Sequence, residues 1–230
     1  ERDGYISPIV LKSDEIWHMW YSVLSRINFP SRDGEEEENI ARKYPLGYAT
    51  SKDGINWERY GEEKYGEPLD FKVSDEGWDC EFVGPSDVIY DGSKFLMYYT
   101  GRDSLGNSAI GVAESYDGIH WAKDTFNNPV IKWDPKSDIN KYPYSCNVTF
   151  EENNPEYAYE MWYIAYGDAS GDKIFYAKSK DGKNWRKEEN PIISCEESVW
   201  SRHYYEDVEV VKTGKKYQMW VNGLGESHIN

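Results

Sequence analysis

Asp87 and Glu209 each stand ten residues before a methionine, Met97 and Met219, and each follows a tryptophan, Trp78 or Trp200, by nine residues. Two carboxylates at matching places, brought to face each other across a cavity, have the chemistry that glycosidic-bond hydrolysis needs. One protonates the leaving oxygen, and the other acts as base or nucleophile on the opposite side of the sugar. Their surroundings would have to set their pKa values apart. The plainer use of the same pair is to accept hydrogen bonds from backbone amides at a channel rim. Asn147 holds the corresponding place between them. The run Tyr204-Tyr-Glu-Asp-Val-Glu209 leaves the last carboxylate open, since a strand beginning two or three residues earlier would put Glu206 or Asp207 where Glu209 is expected. Just upstream, Arg202 and His203 are placed to bond sugar hydroxyls or the acid. Trp78 and Trp200 are candidate stacking platforms for a sugar face, with packing between sheets as the alternative.

The elements that would position these residues are written in a repeat. Ser51-Lys-Asp-Gly-Ile-Asn-Trp57 returns as Ser115-Tyr-Asp-Gly-Ile-His-Trp121 and as Ser179-Lys-Asp-Gly-Lys-Asn-Trp185, with the aspartates evenly spaced 64 residues apart. Asp-Gly supplies a positive-φ turn, the Ser and Asp side chains can bond the turn amides, and the Trp is left to pack between sheets. Each copy follows a β-type run such as Ile110-Gly-Val-Ala-Glu114, and a Met-centred strand such as Phe95-Leu-Met-Tyr-Tyr99 lies upstream. Ahead of that comes a first strand, seen in Pro8–Leu11, Asp87–Tyr90, Asn147–Phe150 and Glu209–Val211, and Pro129–Lys132 or Pro191–Ile193 is expected to supply a fourth. Four antiparallel strands per repeat with almost no helical periodicity predict an all-β fold, a β-propeller whose first strands ring the central channel. Asp87, Asn147 and Glu209 would then face the axis, with Pro8 or Ile9 as the counterpart in the first blade.

This spacing gives one domain over 1–230, with blades at about 1–68, 69–134 and 135–198 and the first half of a fourth over 199–230. The next Asp-Gly turn would fall beyond Asn230, so the propeller is expected to be cut off before it closes. Its open strand edge would invite self-association. Met19 to Asp53 spans 34 residues where the later blades use 20. The acidic insertion around Ser31–Glu38 reads as a solvated loop or, alternatively, as a lid.

Charge and composition narrow the partners. A net charge of -16 opposes nucleic acid and anionic membranes and leaves a neutral glycan as the expected ligand. With 10 Trp and 20 Tyr against 7 Phe, the chain is rich in rings that bury area yet keep a polar edge. No stretch approaches a membrane span, and the chain opens at Glu1 without a signal-peptide pattern, as a processed chain also would; extracellular and cytoplasmic locations both stay open. Cys80, Cys146 and Cys195 are too far apart for a zinc site and odd in number for a disulfide framework, so they read as free thiols. No cofactor is implied. A structural calcium would suit the acidic surface, although no segment resembles a calcium loop. Asn147-Val-Thr149 matches a glycosylation acceptor on an inner strand, where it would be hard to reach.

Gly47-Tyr-Ala-Thr-Ser-Lys-Asp-Gly-Ile-Asn-Trp57 and Phe95-Leu-Met-Tyr-Tyr-Thr-Gly101 resemble the five-bladed propeller glycosidases of the arabinanase, β-xylosidase and invertase superfamily, over nearly the whole chain. About three and a half of the five blades would be present. The resemblance implies an Asp base or nucleophile, a second Asp that orients and tunes, and a Glu acid on successive blades. Asp87 matches the first and Glu209 or Glu206 the last, while Asn147 stands where the second Asp belongs. That Asn keeps a hydrogen-bonding group but loses the charge, a departure that favours the alternative of a non-catalytic carbohydrate-binding propeller. The invertase signatures are absent, which points to the arabinosyl and xylosyl side. The Ser-x-Asp-Gly-x-x-Trp turn is also similar to the sialidase Asp-box, one residue shorter, but only Arg202 stands near the proposed mouth, where sialidases need an arginine cluster.

Overall fold

The computed structural model describes residues 4–24, 46–61, 68–154, 156–167, 171–195 and 204–224. All named elements among them are β-strands, in antiparallel sheets of the propeller type. The first sheet is β1 (Gly4–Ser13), β2 (Ile16–Leu24), β3 (Leu46–Ser51) and β4 (Glu58–Arg59), paired in that order. The second repeats it with β5 (Phe82–Tyr90), β6 (Phe95–Arg102), β7 (Ser108–Ser115) and β8 (Ala122–Lys123). The third has β9 (Tyr142–Phe150), β10 (Tyr159–Tyr166), β11 (Lys173–Ser179) and β12 (Trp185–Lys187), with β13 (Ile193–Ser194) also on β11. A final hairpin joins β14 (Tyr204–Thr213) to β15 (Lys216–Leu224). The acidic insertion around Ser31–Glu38 lies outside the described residues.

The fourth strands are not where the apolar runs suggested. They are the two or three residues at or just after the Trp of each turn, Glu58–Arg59, Ala122–Lys123 and Trp185–Lys187. Those short strands cover only one half of the third strand. The Pro-led runs cover the other half, Ile131 by a single bridge to Ile110 and Ile193 by pairing with Ile174.

The recurrent turn is built identically each time. In the second copy Ser115 Oγ accepts from Gly118 N–H at 2.9 Å, while Asp117 Oδ1 accepts from the amides of Ile119 and His120 at 2.8 Å. Gly118 takes φ 76°, a value glycine adopts without strain. Trp121 Nε1 donates to Gly118 O at 3.1 Å, and its ring packs on the core between the first two blades. The turn also docks on the preceding blade. Trp20 Nε1 donates to Gly118 O at 2.8 Å, and one blade on, Tyr98 O–H donates to Gly182 O at 3.0 Å. Both donors are fully buried, so these bonds satisfy polar groups that would otherwise be orphaned in apolar packing.

Register is fixed by the methionines. Met19, Met97, Met161 and Met219 lie opposite Val10, Val88, Val148 and Val210. The residues one step before those valines are Ile9, Asp87, Asn147 and Glu209, so the four occupy equivalent places and the first-blade counterpart is Ile9.

Trp78 is clamped between the second sheet and the first. A Cβ on Gly101 would fall 2.2 Å from its ring and 2.6 Å from Asp79 Cβ, and one on Gly111 would fall 2.6 Å from the same ring. We expect Gly101→Ala to destabilise the fold by about 1–3 kcal/mol through overpacking. Urea titration would read this as a lowered midpoint with an unchanged slope; an unchanged midpoint would mean that the ring has room to move.

Candidate active site

The inner strands begin well before the residues that register singles out. β14 starts at Tyr204, five residues ahead of Glu209, and β5 starts at Phe82, five ahead of Asp87. Each inner strand is interrupted by a register shift in this upstream part: between Ile6 and Ile9, Pro85 and Asp87, and Tyr205 and Asp207, with Ser145 the extra residue in β9. Bulges of this kind bend a strand and re-aim a side chain. Ser145 carries the bend at φ 29°.

Below the bulges lies a continuous hydrogen-bonded layer. Asn147 Nδ2 donates to Asp87 Oδ2 at 3.1 Å and to Glu209 Oε2 at 3.2 Å, joining three blades. The two carboxylate oxygens are therefore no farther apart than those two contacts laid end to end. Asp87 also accepts from its own strand, Val88 N–H to Oδ1 at 2.8 Å, and from the next blade, Val148 N–H to Oδ2 at 2.7 Å. Asn147 repeats the second arrangement one blade on, its Oδ1 accepting from Val210 N–H at 3.0 Å. Asp87 and Asn147 are only 9% and 5% exposed. The rim-bonding use of Asp87 foreseen beside the catalytic one is thus what its contacts display, and an amide fills the space between Asp87 and Glu209. The same burial leaves the Asn147-Val-Thr149 acceptor inaccessible.

Electrostatics in this layer follow from burial. Loss of solvent pushes the Asp87 carboxyl up to about 7; the Val148 amide opposes the rise, the negative charge of Glu209 adds to it, and the Val88 amide and Asp207 contribute less. Glu209 is also raised, first by desolvation and then by Asp207.

Above the layer the carboxylates are open. Glu206, Asp207 and Glu209 are all exposed. Asp207 Oδ1 accepts from Ser145 Oγ at 2.7 Å and from Val208 N–H at 3.0 Å. Glu206, the extra residue of its bulge, accepts at Oε2 from Asn222 Nδ2 at 3.0 Å. Ser86 and Thr100 hydroxyls meet at 3.2 Å beside them, with Thr100 Oγ1 accepting from Ser145 N–H at 3.1 Å. Arg102 stands at the same end, its guanidinium 5.5 Å from the Phe82 ring centroid.

The structure thus brings Asp87, Asn147, Asp207 and Glu209 together, with Glu206 on the same strand nearer the entrance. Trp78 stacks on Tyr99 with centroids 5.5 Å apart and covers Gly101 and Gly111, contacts of the packing kind. Trp200, Arg202 and His203 lie outside the described residues. Sequence reasoning missed Ser86 and Ser145, because no spacing rule marks a bulge, and Thr100 and Arg102, which lie on the second strand and reach this end only through its pairing with β5. Cys80, Cys146 and Cys195 form no disulfide among the described residues, Cys146 and Cys195 being buried and Cys80 partly so.

No family model matches the chain. A curated relative, an uncharacterized protein of Mycobacterium tuberculosis, is 27% identical over 164 residues, covering 65% of this chain and 50% of the relative. The chain therefore spans about half the length of that relative. Among solved structures, a glycosyl hydrolase from Bacteroides ovatus superposes with a TM-score of 0.66 at 19% identity, over 99% of this chain and 62% of that one. Fructan 1-exohydrolase IIa from Cichorium intybus gives 0.63 at 18%, over 91% and 37%. Identities this low establish the fold: the sheets of this chain are arranged as in propeller glycoside hydrolases, as the repeats predicted.

Proposed function

We propose that the protein hydrolyses glycosidic bonds in a neutral pentosyl or related glycan, with Glu206 as proton donor. The observation that carries this reading is the bulge between Tyr205 and Asp207, which sets the exposed Glu206 on the same strand as Glu209, above a hydrogen-bonded layer in which Asp87 and Asn147 are buried. A general acid must reach the leaving oxygen, and among the carboxylates of this layer and strand Asp87 is sealed by amides while Glu209 is tied to Asn147. Asp207, oriented by Ser145 and the Val208 amide, is the anion that stabilises positive charge developing on the sugar ring. Asp87 acts through Asn147, which holds Glu209 in place. A repulsive field from the net negative charge keeps anionic sugars away, in accord with a neutral substrate.

The second reading, sugar binding without turnover, is favoured by one feature: Asn147 bridges Asp87 and Glu209, leaving no gap between them for a scissile bond. Hydrolysis of a panel of arabinosides and xylosides, read by released reducing sugar, separates the two. Turnover that disappears in Glu206→Gln supports the enzyme; wild-type binding with no turnover on any member supports the lectin-like alternative.

A further inference from the structure

The entrance of the third blade carries a group of tyrosines that the acid chemistry does not use. Tyr142 at the start of β9 and Tyr166 at the end of β10 lie opposite one another, ring centroids 4.9 Å apart at 34°. Tyr144 meets Tyr166 edge-on at 5.9 Å. Tyr144 is itself immobilised, its hydroxyl 2.6 Å from both Asp172 Oδ2 and the Tyr205 carbonyl, while Tyr205 N–H donates to the same Asp172 oxygen at 2.7 Å. Asp172 is only 2% exposed, so this is a buried, fixed support. Tyr166, resting on it, keeps 38% of its surface exposed. Lys141 braces the other ring, its ammonium 5.2 Å from the Tyr142 centroid.

Two facts give this arrangement a ligand. A tyrosine held rigid with part of its surface in water loses little entropy on stacking against the apolar face of a sugar. The support is also shared with the acid, because Tyr205, whose backbone is bonded to Tyr144 and Asp172, immediately precedes Glu206. We infer that the Tyr142–Tyr166 pair is a stacking platform for a second sugar unit, making oligosaccharides of two or more neutral residues the preferred ligands over single glycosides. This rests on the glycan reading of the Glu206 site.

The test compares dissociation constants of xylotriose and arabinotriose with those of the methyl pentosides, measured by calorimetry on the Glu206→Gln protein so that bound sugar is not cleaved. Tyr166→Ala is expected to weaken triose binding about tenfold and to leave the methyl pentosides within twofold. Tyr166→Phe, which keeps the ring, is expected to restore most of the triose affinity. Tyr116→Ala, at an exposed turn at the opposite end of the strands, serves as the control and should change neither. Triose binding unaffected by Tyr166→Ala, or an equal loss for trioses and methyl pentosides, would overturn the platform alone. Failure of the otherwise unsubstituted protein to bind any of these sugars would overturn the glycan reading beneath it.

Discussion

Glu206→Gln is expected to lower kcat/KM on a cleavable pentoside by about 10²–10⁴, the range removed with a positioned general acid. Glu206 is exposed and bonded only to Asn222 among the described residues, so the substitution leaves packing intact. The melting temperature should therefore stay within about 2 °C of the parent. Glu209→Gln is the informative comparison. Its carboxylate lies deeper and already accepts from Asn147, so its loss should cost no more than about tenfold. If Glu209→Gln is the severe variant and Glu206→Gln retains activity, the proton donor is the deeper glutamate and the bulge has only a structural use. A leaving group of low pKa, which needs little protonation, should rescue whichever variant lacks the acid.

Asp87→Asn is expected to change the pH dependence of stability more than any other single substitution among these groups. The unfolded chain releases the Asp87 proton near the ordinary aspartate value of 3.8, whereas the folded protein holds it until about 7. Between those values the folded state binds the extra proton, so the contribution is fully present below the unfolded pKa and is lost as pH rises towards 7. A shift of this size corresponds to about 4 kcal/mol at most. At pH 4.5 the Asn variant should be the less stable by about 1–3 kcal/mol, since its amide group must face one of the N–H donors of Val88 and Val148. By pH 8 the gap should close or reverse. Urea midpoints of both proteins at pH 4.5, 6 and 8 measure this directly. A wild-type to variant difference that is constant with pH would mean that Asp87 ionises in the folded protein much as it does in the unfolded chain.

Much of the fold was legible because its signals are local. The Ser-x-Asp-Gly-x-x-Trp turn states its own conformation, and the spacing of Asp87 and Glu209 to Met97, Met219, Trp78 and Trp200, with Asn147 as their third-blade counterpart, agrees with the strand pairing, in which each precedes a valine opposite a methionine. The outer strands were misread for a physical reason. Glu58–Arg59 and Ala122–Lys123 are short and mostly exposed, so burial imposes no alternation on them, whereas the Pro-led runs are apolar yet reach the third strand only through Ile131, by one bridge, and Ile193, in the two-residue β13. The site was legible in its depth but not at its entrance. Bulges fall at two serines and a glutamate, Ser86, Ser145 and Glu206, which no spacing marks, because a bulge is defined by which partner is skipped on the neighbouring strand rather than by side-chain type. Tyr142, Tyr144 and Tyr166 were equally unmarked, since they meet only when β9 and β10 pair across that interruption.

The bonds between sheets have a direction with a thermodynamic consequence. Trp20 and Tyr98, fully buried in one sheet, donate to Gly118 and Gly182 in the next, and the side chains of Asp87 and Asn147 accept amides from the sheet that follows. Peeling one sheet away thus strands polar groups inside the core of its predecessor, at about 1–3 kcal/mol each. That penalty couples neighbours and works against sheet-by-sheet fraying: amide hydrogen exchange should find the β5–β8 and β9–β12 sheets opening as one cooperative unit, although each has the size of a separable repeat.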